Sequence, residues 1–504
     1  MATTHEIRAL RGMAAVNYRV LTACSIGLFL AGANTALAAI ALPDLASSLH
    51  LSDTASAWVA IAYQLPAGAM LLTAGAIGDR WGHRRLYLTG LLLFTAASIL
   101  CALSWTPLAL LGARALQGVA GAVLTPTTMA VVVLAHPELG ARSRAIGLWT
   151  AGLGLGAAAG PAMGSVLLAC VGWRGLFAAT AALALAAALF GHRSLPRTAA
   201  AAQTRIDPVG QALLALAFGA ALFAITSFHH LPPPPGELAG SVALLAAAAV
   251  SLRLWLPRKP HGAIALLLPT PLATRAAVAL GGALFVVFNA FTYFNAIYLQ
   301  RSAGLDPLCA GLMMTPSPAG ILLVAPTAGR AVARLGPRPV AATGAGAVVV
   351  GAFAFAFALT LQRGPGPLQI AAAAVVGIGT GLLNTSVGAV VATTAPPGRE
   401  GSATGLLASA RMLGGAAGVA LLSTVLVGGY RRALPHAAAA AGLTQAQLDQ
   451  ALAAAPTVRP VGEALAAPTA AAFNSGLAQA ILVCSAVLLI TTIATCRYLP
   501  GRRC

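Results

Sequence analysis

Long apolar runs, separated by short segments that carry arginine, fill most of this 504-residue chain and limit what it can fold into. A helix needs about 20 apolar residues to cross roughly 30 Å of hydrocarbon. Only helices and closed barrels span lipid, and these runs are too long and too uniformly apolar for barrel strands. The sequence therefore predicts an all-α membrane protein with fourteen spans, at 18–42, 56–77, 86–103, 108–134, 145–169, 175–191, 208–227, 239–256, 276–299, 308–329, 339–361, 368–393, 404–427 and 473–496.

The composition excludes several other classes of protein. Charged residues make up 8% of the chain, against about a quarter in soluble domains. The net charge of +19 could indicate nucleic-acid binding, but the arginines stand in twos and threes between apolar runs. The seven cysteines lack paired spacing, no Walker A lysine is present, and the glycine-rich stretches lie in apolar spans without a βαβ unit. We therefore expect no enzyme activity, cofactor, metal ion or nucleic-acid partner.

The positions of the basic residues predict the orientation in the membrane. With the N-terminus in the cytoplasm, 22 of the 30 basic residues fall in cytoplasmic segments and 6 in external ones. The first span is longer than the core of a cleaved signal peptide, about 7–15 residues, so we expect no cleavage. The expected protein is a monomer that crosses the cell membrane many times, with both termini in the cytoplasm and lipid around it.

The loop after the second span has a counterpart after the tenth. Residues 75–84 read GAIGDRWGHR and residues 329–338 read GRAVARLGPR, with four matches at a spacing of 254 residues. Matching loops at equivalent places imply two homologous six-helix halves, an architecture in which transporters hold their substrate between the halves. The predicted organisation is an N-terminal bundle at 1–192, a linker with two inserted spans at 193–257, and a C-terminal bundle at 258–504 with a long external loop at 428–472.

The first loop resembles the signature between helices 2 and 3 of the major facilitator superfamily. Two further signatures of that family match LxxxRxxQG at 110–118 and GxxxGPxxG at 156–164. The fourteen spans, together with WxxxxY at 58–63 and YLQ at 298–300, resemble the fourteen-helix drug:proton antiporter branch. This resemblance implies proton-driven export of a small amphipathic organic molecule by alternating access.

The resemblance also implies a conformational latch between the halves in the first loop. The carboxylate of Asp79 would face a helix N-terminus near Gly401–Gly405, where the helix dipole favours negative charge. A solvated turn is the alternative. The second loop has Ala333 at the equivalent position, so the latch would be one-sided. The predicted latch residues are Gly75, Asp79, Arg80, Gly82 and Arg84.

In the fifth span, glycines recur every four residues and form a stripe without side chains, which another helix can approach closely. Pro161 removes a backbone donor and should bend this helix. The resemblance implies that the halves move against each other at this stripe, and static packing is the alternative. The residues are Gly152, Gly156, Gly160, Pro161 and Gly164.

One position departs from the pattern of the branch. Asn34 stands where the signature of the first span has an aspartate that is linked to proton coupling or to cationic substrates. The eleven acidic residues and nine histidines all lie in loops or at span ends. A proton-carrying carboxylate needs a pKa tuned by burial, which leaves Asp44 and Asp79, at span ends, as the candidates.

Two arginines fall inside predicted spans. Arg114 costs about 2.5–3.5 kcal/mol on insertion scales, so it needs polar partners and is a functional candidate unless it reaches the interface. Arg411 lies nearer the cytoplasmic end and reaches the interface more easily. With Asn34 in place of an acid, we expect a positively charged cavity that prefers neutral or anionic molecules.

Uncharged polar and aromatic side chains complete the predicted cavity, as suits an amphipathic ligand. Those on the ninth span recur at helical spacing, which packing or lipid contact would also explain. The cavity residues are Asn34, Tyr63, Gln64, Arg114, Gln117, Asn289, Tyr293, Asn295, Asn384 and Arg411. Two other functions stay open: a proton-independent facilitator or uptake carrier of the same fold, and a membrane receptor or scaffold that transports nothing.

Overall fold

The regular structure of the chain is helical, as predicted. The computed structural model describes residues 17–51, 53–136, 139–196, 271–361, 365–394, 400–453 and 463–500, together with scattered positions between 209 and 254. Nine helices in this part of the chain are long and apolar enough to cross a membrane, or ten if a bent pair in the first helix counts as one span. Only scattered positions of the seventh and eighth predicted spans are described, so the total of fourteen stays a prediction.

The first half contains the first six predicted spans. Its helices are α1 (Tyr18–Ser48), α2 (Asp53–Trp81), α3 (His83–Ala102), α4 (Pro107–Ala135) and α5 (Leu139–Ser194). α5 contains two of those spans. Gly172, with a φ of 67°, interrupts the helix between them. A positive φ is accessible to glycine at little cost, which explains why the break falls at this residue.

The second half contains the last six predicted spans. Its helices are α6 (Leu272–Ile297), continued by a π-helical turn (Tyr298–Ser302), α7 (Pro307–Met314), α8 (Pro316–Leu335), α9 (Pro337–Thr360), α10 (Pro367–Thr394), α11 (Glu400–Ala440), α12 (Gln445–Ala453) and α13 (Glu463–Cys496). α7 and α8 together cover the tenth predicted span and meet at Thr315.

The segment 428–472, predicted as an external loop with a short helix around 445–455, is largely helical where the structure describes it. α11 continues to Ala440, α12 lies within the segment, and α13 begins at Glu463. The residues that follow the predicted end of the span are rich in alanine, the strongest helix former, so the helix continues. Hydropathy marks where the lipid ends and gives no information on where the helix ends.

The two matching loops have the same backbone geometry. Gly82 alone separates α2 from α3, with φ 87° and ψ 126°. Gly336 alone separates α8 from α9, with φ 86° and ψ 161°. Residues with side chains rarely adopt this conformation, so the glycine that recurs in the sequence is required by the turn. The internal repeat is therefore present in the backbone as well as in the sequence.

Glycine also lets helices approach closely within each half. A Cβ atom on Gly118 of α4 would collide with the backbone carbonyl of Tyr63 in α2, and one on Gly377 of α10 with that of Ser317 in α8. Small residues at such crossings replace the hydrophobic driving force that is missing in lipid. A continuous cluster of buried apolar side chains then extends from α1 through α6 to α13, and so joins the two halves.

We predict that Gly82→Ala and Gly336→Ala each lower the stability of the protein by about 1–3 kcal/mol, because alanine is strained at these backbone angles. Thermal unfolding in detergent micelles measures the change. Gly346→Ala is the matched control, since its added Cβ would meet nothing within 4 Å. Equal midpoints of thermal unfolding for all three variants would contradict the claim that the turn requires glycine at both positions.

Candidate functional site

Arg114 of α4 is the centre of a hydrogen-bond network inside the first half. Its side chain is 1% exposed. Its Nε donates to the carbonyl oxygen of Val59 in α2 at 3.1 Å. Its Nη1 donates to Oδ1 of Asn34 in α1 at 3.1 Å and to Oε1 of Gln117 in α4 at 2.6 Å. The guanidinium thus connects three helices, and this placement excludes the alternative in which it extends to the interface.

The network continues to a fourth helix. Gln117 donates from Nε2 to Oγ of Ser98 in α3 at 2.8 Å, and that hydroxyl donates to the carbonyl oxygen of Phe94 at 2.7 Å. The ring of Tyr63 in α2 lies 4.9 Å from the guanidinium carbon of Arg114. Oxygen atoms of neutral groups and one aromatic face therefore solvate the charge, as a buried cation requires. No carboxylate takes part in the described network.

Arg411 of α11 has a different environment. Its guanidinium carbon lies 5.7 Å from the ring centroid of Phe285 in α6. The Nε atom is buried and has no hydrogen-bond partner among the described residues. The side chain nevertheless keeps some accessible surface, in contrast to Arg114. The structure therefore gives hydrogen-bond acceptors to Arg114, whereas Arg411 has none among the described residues.

The two halves meet at Gly415, one helical turn from Arg411 on the same face of α11. A Cβ atom on Gly415 would collide with the side-chain amides of Asn289 from α6 and Gln64 from α2. Gln64 follows Tyr63 in the chain, so α2 directs one side chain to Arg114 and the next to the second half. The Oε1 atom of Gln64 is buried without a hydrogen-bond partner among the described residues.

The other predicted cavity residues occupy separate places. Tyr293 of α6 donates its hydroxyl to the carbonyl oxygen of Ser56 in α2 at 2.6 Å, a second contact between the halves. Asn295 of α6 and Asn384 of α10 each have a buried Oδ1 without a hydrogen-bond partner among the described residues. The structure therefore brings Gln64, Asn289 and Tyr293 to the junction of the halves and keeps the Arg114 network inside the first half.

Further hydrogen bonds join the halves at the predicted external end. Gln300 donates to the carbonyl oxygen of Ile40 at 3.1 Å, and Arg301 donates to that of Pro43 at 2.8 Å. Both donors belong to the π-helical turn that ends α6, and both acceptors to α1. In the sequence, Gln300 belongs to the YLQ motif, whereas no motif includes Arg301. The adjacency of Arg301 to that motif was the available signal.

The structure describes only some of the predicted latch residues. The surroundings of Gly75 and the side chains of Asp79 and residues 395–404 lie outside what the structure describes, so the contact of Asp79 stays a prediction. Arg80 is exposed. Arg84 donates to the carbonyl oxygen of His192 at 2.6 Å, at the C-terminal end of α5, where the helix dipole favours a cation. This arginine therefore ties α3 to α5 within the first half.

The predicted residues of the fifth span contact both halves. Gly156 lies against the backbone of Phe29 and Gly164 against Leu37, both in α1 of the same half. An adjacent face of α5, with Pro161 and Ser165, contacts Gly311 of α7 in the second half. The stripe thus closes α5 onto α1, while the contact between halves uses its neighbours. Gly160 is buried, and the surroundings of Gly152 lie outside the described part.

Two helical halves with polar contacts at their junction define a class of membrane transporter rather than an enzyme. The chain belongs to the Major Facilitator Superfamily, whose sequence profile matches residues 24–419. It is therefore a multi-pass membrane protein, and the membership that the motifs implied is confirmed.

Known relatives agree with this assignment. The chain is 28% identical to the multidrug resistance protein Stp of Mycobacterium tuberculosis over 409 residues. The matched region covers 80% of this chain and 75% of Stp. Over 414 residues the chain is 31% identical to the drug efflux pump JefA of the same organism, covering 80% and 79%. A solved bacterial homologue of the human lysosomal transporter Spinster has the same fold, with a TM-score of 0.63 and 16% identity over 96% of this chain and 98% of that one.

We predict that Arg114→Ala destabilises the protein by about 1–3 kcal/mol for each buried acceptor it leaves unpaired, chiefly those of Asn34 and Gln117. Arg411→Ala is the matched control, because Arg411 makes no hydrogen bond that the structure describes. Thermal unfolding of both variants in the same detergent measures the difference. An equal or larger loss for Arg411→Ala would show that the network around Arg114 is not what holds the first half together.

Proposed function

We propose that this protein exports small amphipathic organic molecules from the cytoplasm by alternating access, as a secondary active transporter. The observation that carries the proposal is the junction at Gly415, where amides from the two halves converge. A substrate site between two such halves is the arrangement that this architecture uses. The relatives named as a multidrug resistance protein and a drug efflux pump support the outward direction.

The proposal includes the membrane arrangement predicted from the sequence. Fourteen spans form an N-terminal bundle at 1–192, an insertion at 193–257 and a C-terminal bundle at 258–504, with both termini in the cytoplasm of a monomeric protein. The positions of the arginines support this orientation. In this orientation, the bonds from Gln300 and Arg301 to α1 close the external side.

Proton coupling is the second part of the proposal. The resemblance to drug:proton antiporters supports it, and Asp44 and Asp79 are the candidate proton carriers. Asp44 is exposed and follows Pro43, the acceptor for Arg301, so a change in its charge would act directly on the contact between the halves.

A proton-independent carrier of the same fold is the second candidate. One observation favours it: the hydrogen-bond network around Arg114 contains amides, hydroxyls and carbonyls, and Asn34, which accepts a bond from Arg114, stands where the resembling branch has an acid. Such a carrier would move substrate down its own gradient and ignore the proton gradient.

Transport in proteoliposomes, with and without an imposed pH gradient, tests these candidates together. The probes are amphiphiles of matched size that are cationic, neutral or anionic, and protein-free liposomes are the background. We expect outward transport that the pH gradient accelerates, and we expect Asp44→Asn or Asp79→Asn to abolish the acceleration but not the exchange of substrate.

Each other result has a defined meaning. Transport that ignores the gradient in the unmodified protein would contradict proton coupling and favour the facilitator. Transport that runs inward under the same gradient would favour an uptake carrier. Saturable binding without transport of any probe would overturn the transporter assignment in favour of a receptor or scaffold.

A further inference from the structure

We propose that Arg411 binds the anionic group of the substrate, and that the substrates of this protein are amphipathic organic anions. The proposal rests on the proposed function, because it places the ligand at the junction of the halves. It also gives the two intramembrane arginines different roles: Arg114 organises the first half, and Arg411 recognises the ligand.

The first reason is the difference in hydrogen bonding between the two guanidiniums. Arg114 is 1% exposed and donates to three acceptors of its own half. Arg411 donates to no described acceptor, has a buried Nε without a partner, and keeps accessible surface. A guanidinium in a membrane-crossing helix needs hydrogen-bond partners or an opposite charge. Among the described contacts, the Nε donor of Arg411 is therefore unused, whereas that of Arg114 is used.

The second reason is that the neighbouring helices offer no negative charge. Arg411 packs beside α6 at Gly281 and Phe285, and α11 faces α2 through Gly68 and Gly415. Acidic residues occur in these three helices only near their ends, at positions 53, 79 and 400. Among the described residues no carboxylate forms an ion pair with Arg411, so we assign its counter-charge to a ligand. The planar guanidinium fits a carboxylate, sulfonate or phosphate with two parallel hydrogen bonds.

The third reason is the shape of the surroundings. Phe285 covers one side of the guanidinium. One turn farther along both helices, the amides of Gln64 and Asn289 converge on Gly415. An anion at Arg411 could accept further bonds from amide N–H groups, while an apolar chain packs along Phe285. These groups suit a molecule with one anionic end and an apolar body.

Equilibrium binding tests the proposal without requiring transport. The full chain is placed in nanodiscs of neutral phosphatidylcholine, and the probes are dansyl-labelled undecanoic acid and its methyl ester. Fluorescence titration against protein-free nanodiscs corrects for partition into lipid. We expect the acid to bind more tightly than the ester, and Arg411→Gln to weaken the acid by about 10- to 100-fold while the ester keeps its affinity.

Two further variants make the result specific. Arg411→Lys keeps the charge but not the planar fork, so it should retain part of the preference for the acid. Arg432→Gln removes an exposed arginine of the same helix and should change neither affinity. Equal affinities for acid and ester in the unmodified protein, or an unchanged acid affinity in Arg411→Gln, would overturn the proposal.

The failure of this proposal and of the proposed function are distinguishable. If only neutral amphiphiles bind and are exported from proteoliposomes, the anion site is wrong and the export function stands. If the acid binds through Arg411 but no probe is transported, the anion site stands and the export function is wrong.

Discussion

A charge inside a lipid-crossing bundle must be hydrogen-bonded, and the first half of this protein is organised around one such charge. Arg114 takes its acceptors from α1, α2 and α4, and Gln117 extends the network to α3. Because each acceptor belongs to a different helix or turn, the guanidinium fixes these helices relative to each other. All the acceptors are neutral, so the network holds its positive charge without a carboxylate. Removal of the Arg114 side chain would therefore remove several buried hydrogen bonds.

α2 connects the Arg114 network to the second half. Val59 accepts a bond from Arg114 in its own half, and Ser56, three residues earlier, accepts one from Tyr293 in the other. Tyr63 and Gln64 repeat the arrangement one turn farther along, facing Arg114 and Gly415 respectively. Under the proposed alternating access, a movement that separates the halves would break the contacts of α2 with the second half and keep those with the first.

The sequence was sufficient for the features that depend on local chemistry. Apolar runs predicted the helices, and the spacing of 254 residues predicted two loops that the structure builds with the same glycine conformation at Gly82 and Gly336. The burial cost of a charge marked Arg114 as a residue in need of polar partners, and the structure supplies one at Asn34, a second predicted cavity residue on another helix.

The sequence was insufficient where the outcome depends on which helices pack together. A glycine stripe shows that something approaches α5 closely, but not that the partner is α1 of the same half. From the sequence, Arg411 is a weaker candidate for a functional residue than Arg114, because it lies nearer the cytoplasmic end of its span. Its accessible surface, and its Nε without a hydrogen-bond partner among the described residues, follow from the positions of α6 and α2. The contacts of Arg301 with α1 likewise arise only when distant segments meet.

The central claim is that the halves separate and rejoin while each half stays intact, and reversible cross-linking tests this most directly. In a background without native cysteines, Pro43→Cys with Arg301→Cys joins the halves at the end where Arg301 now bonds to α1. Ser302→Cys with Asn474→Cys is the matched pair within the second half, where the two side chains bond at 2.7 Å. A bifunctional methanethiosulfonate should stop transport in the first variant, with recovery on reduction, and leave the second active. Full transport through the cross-linked first variant would contradict the account.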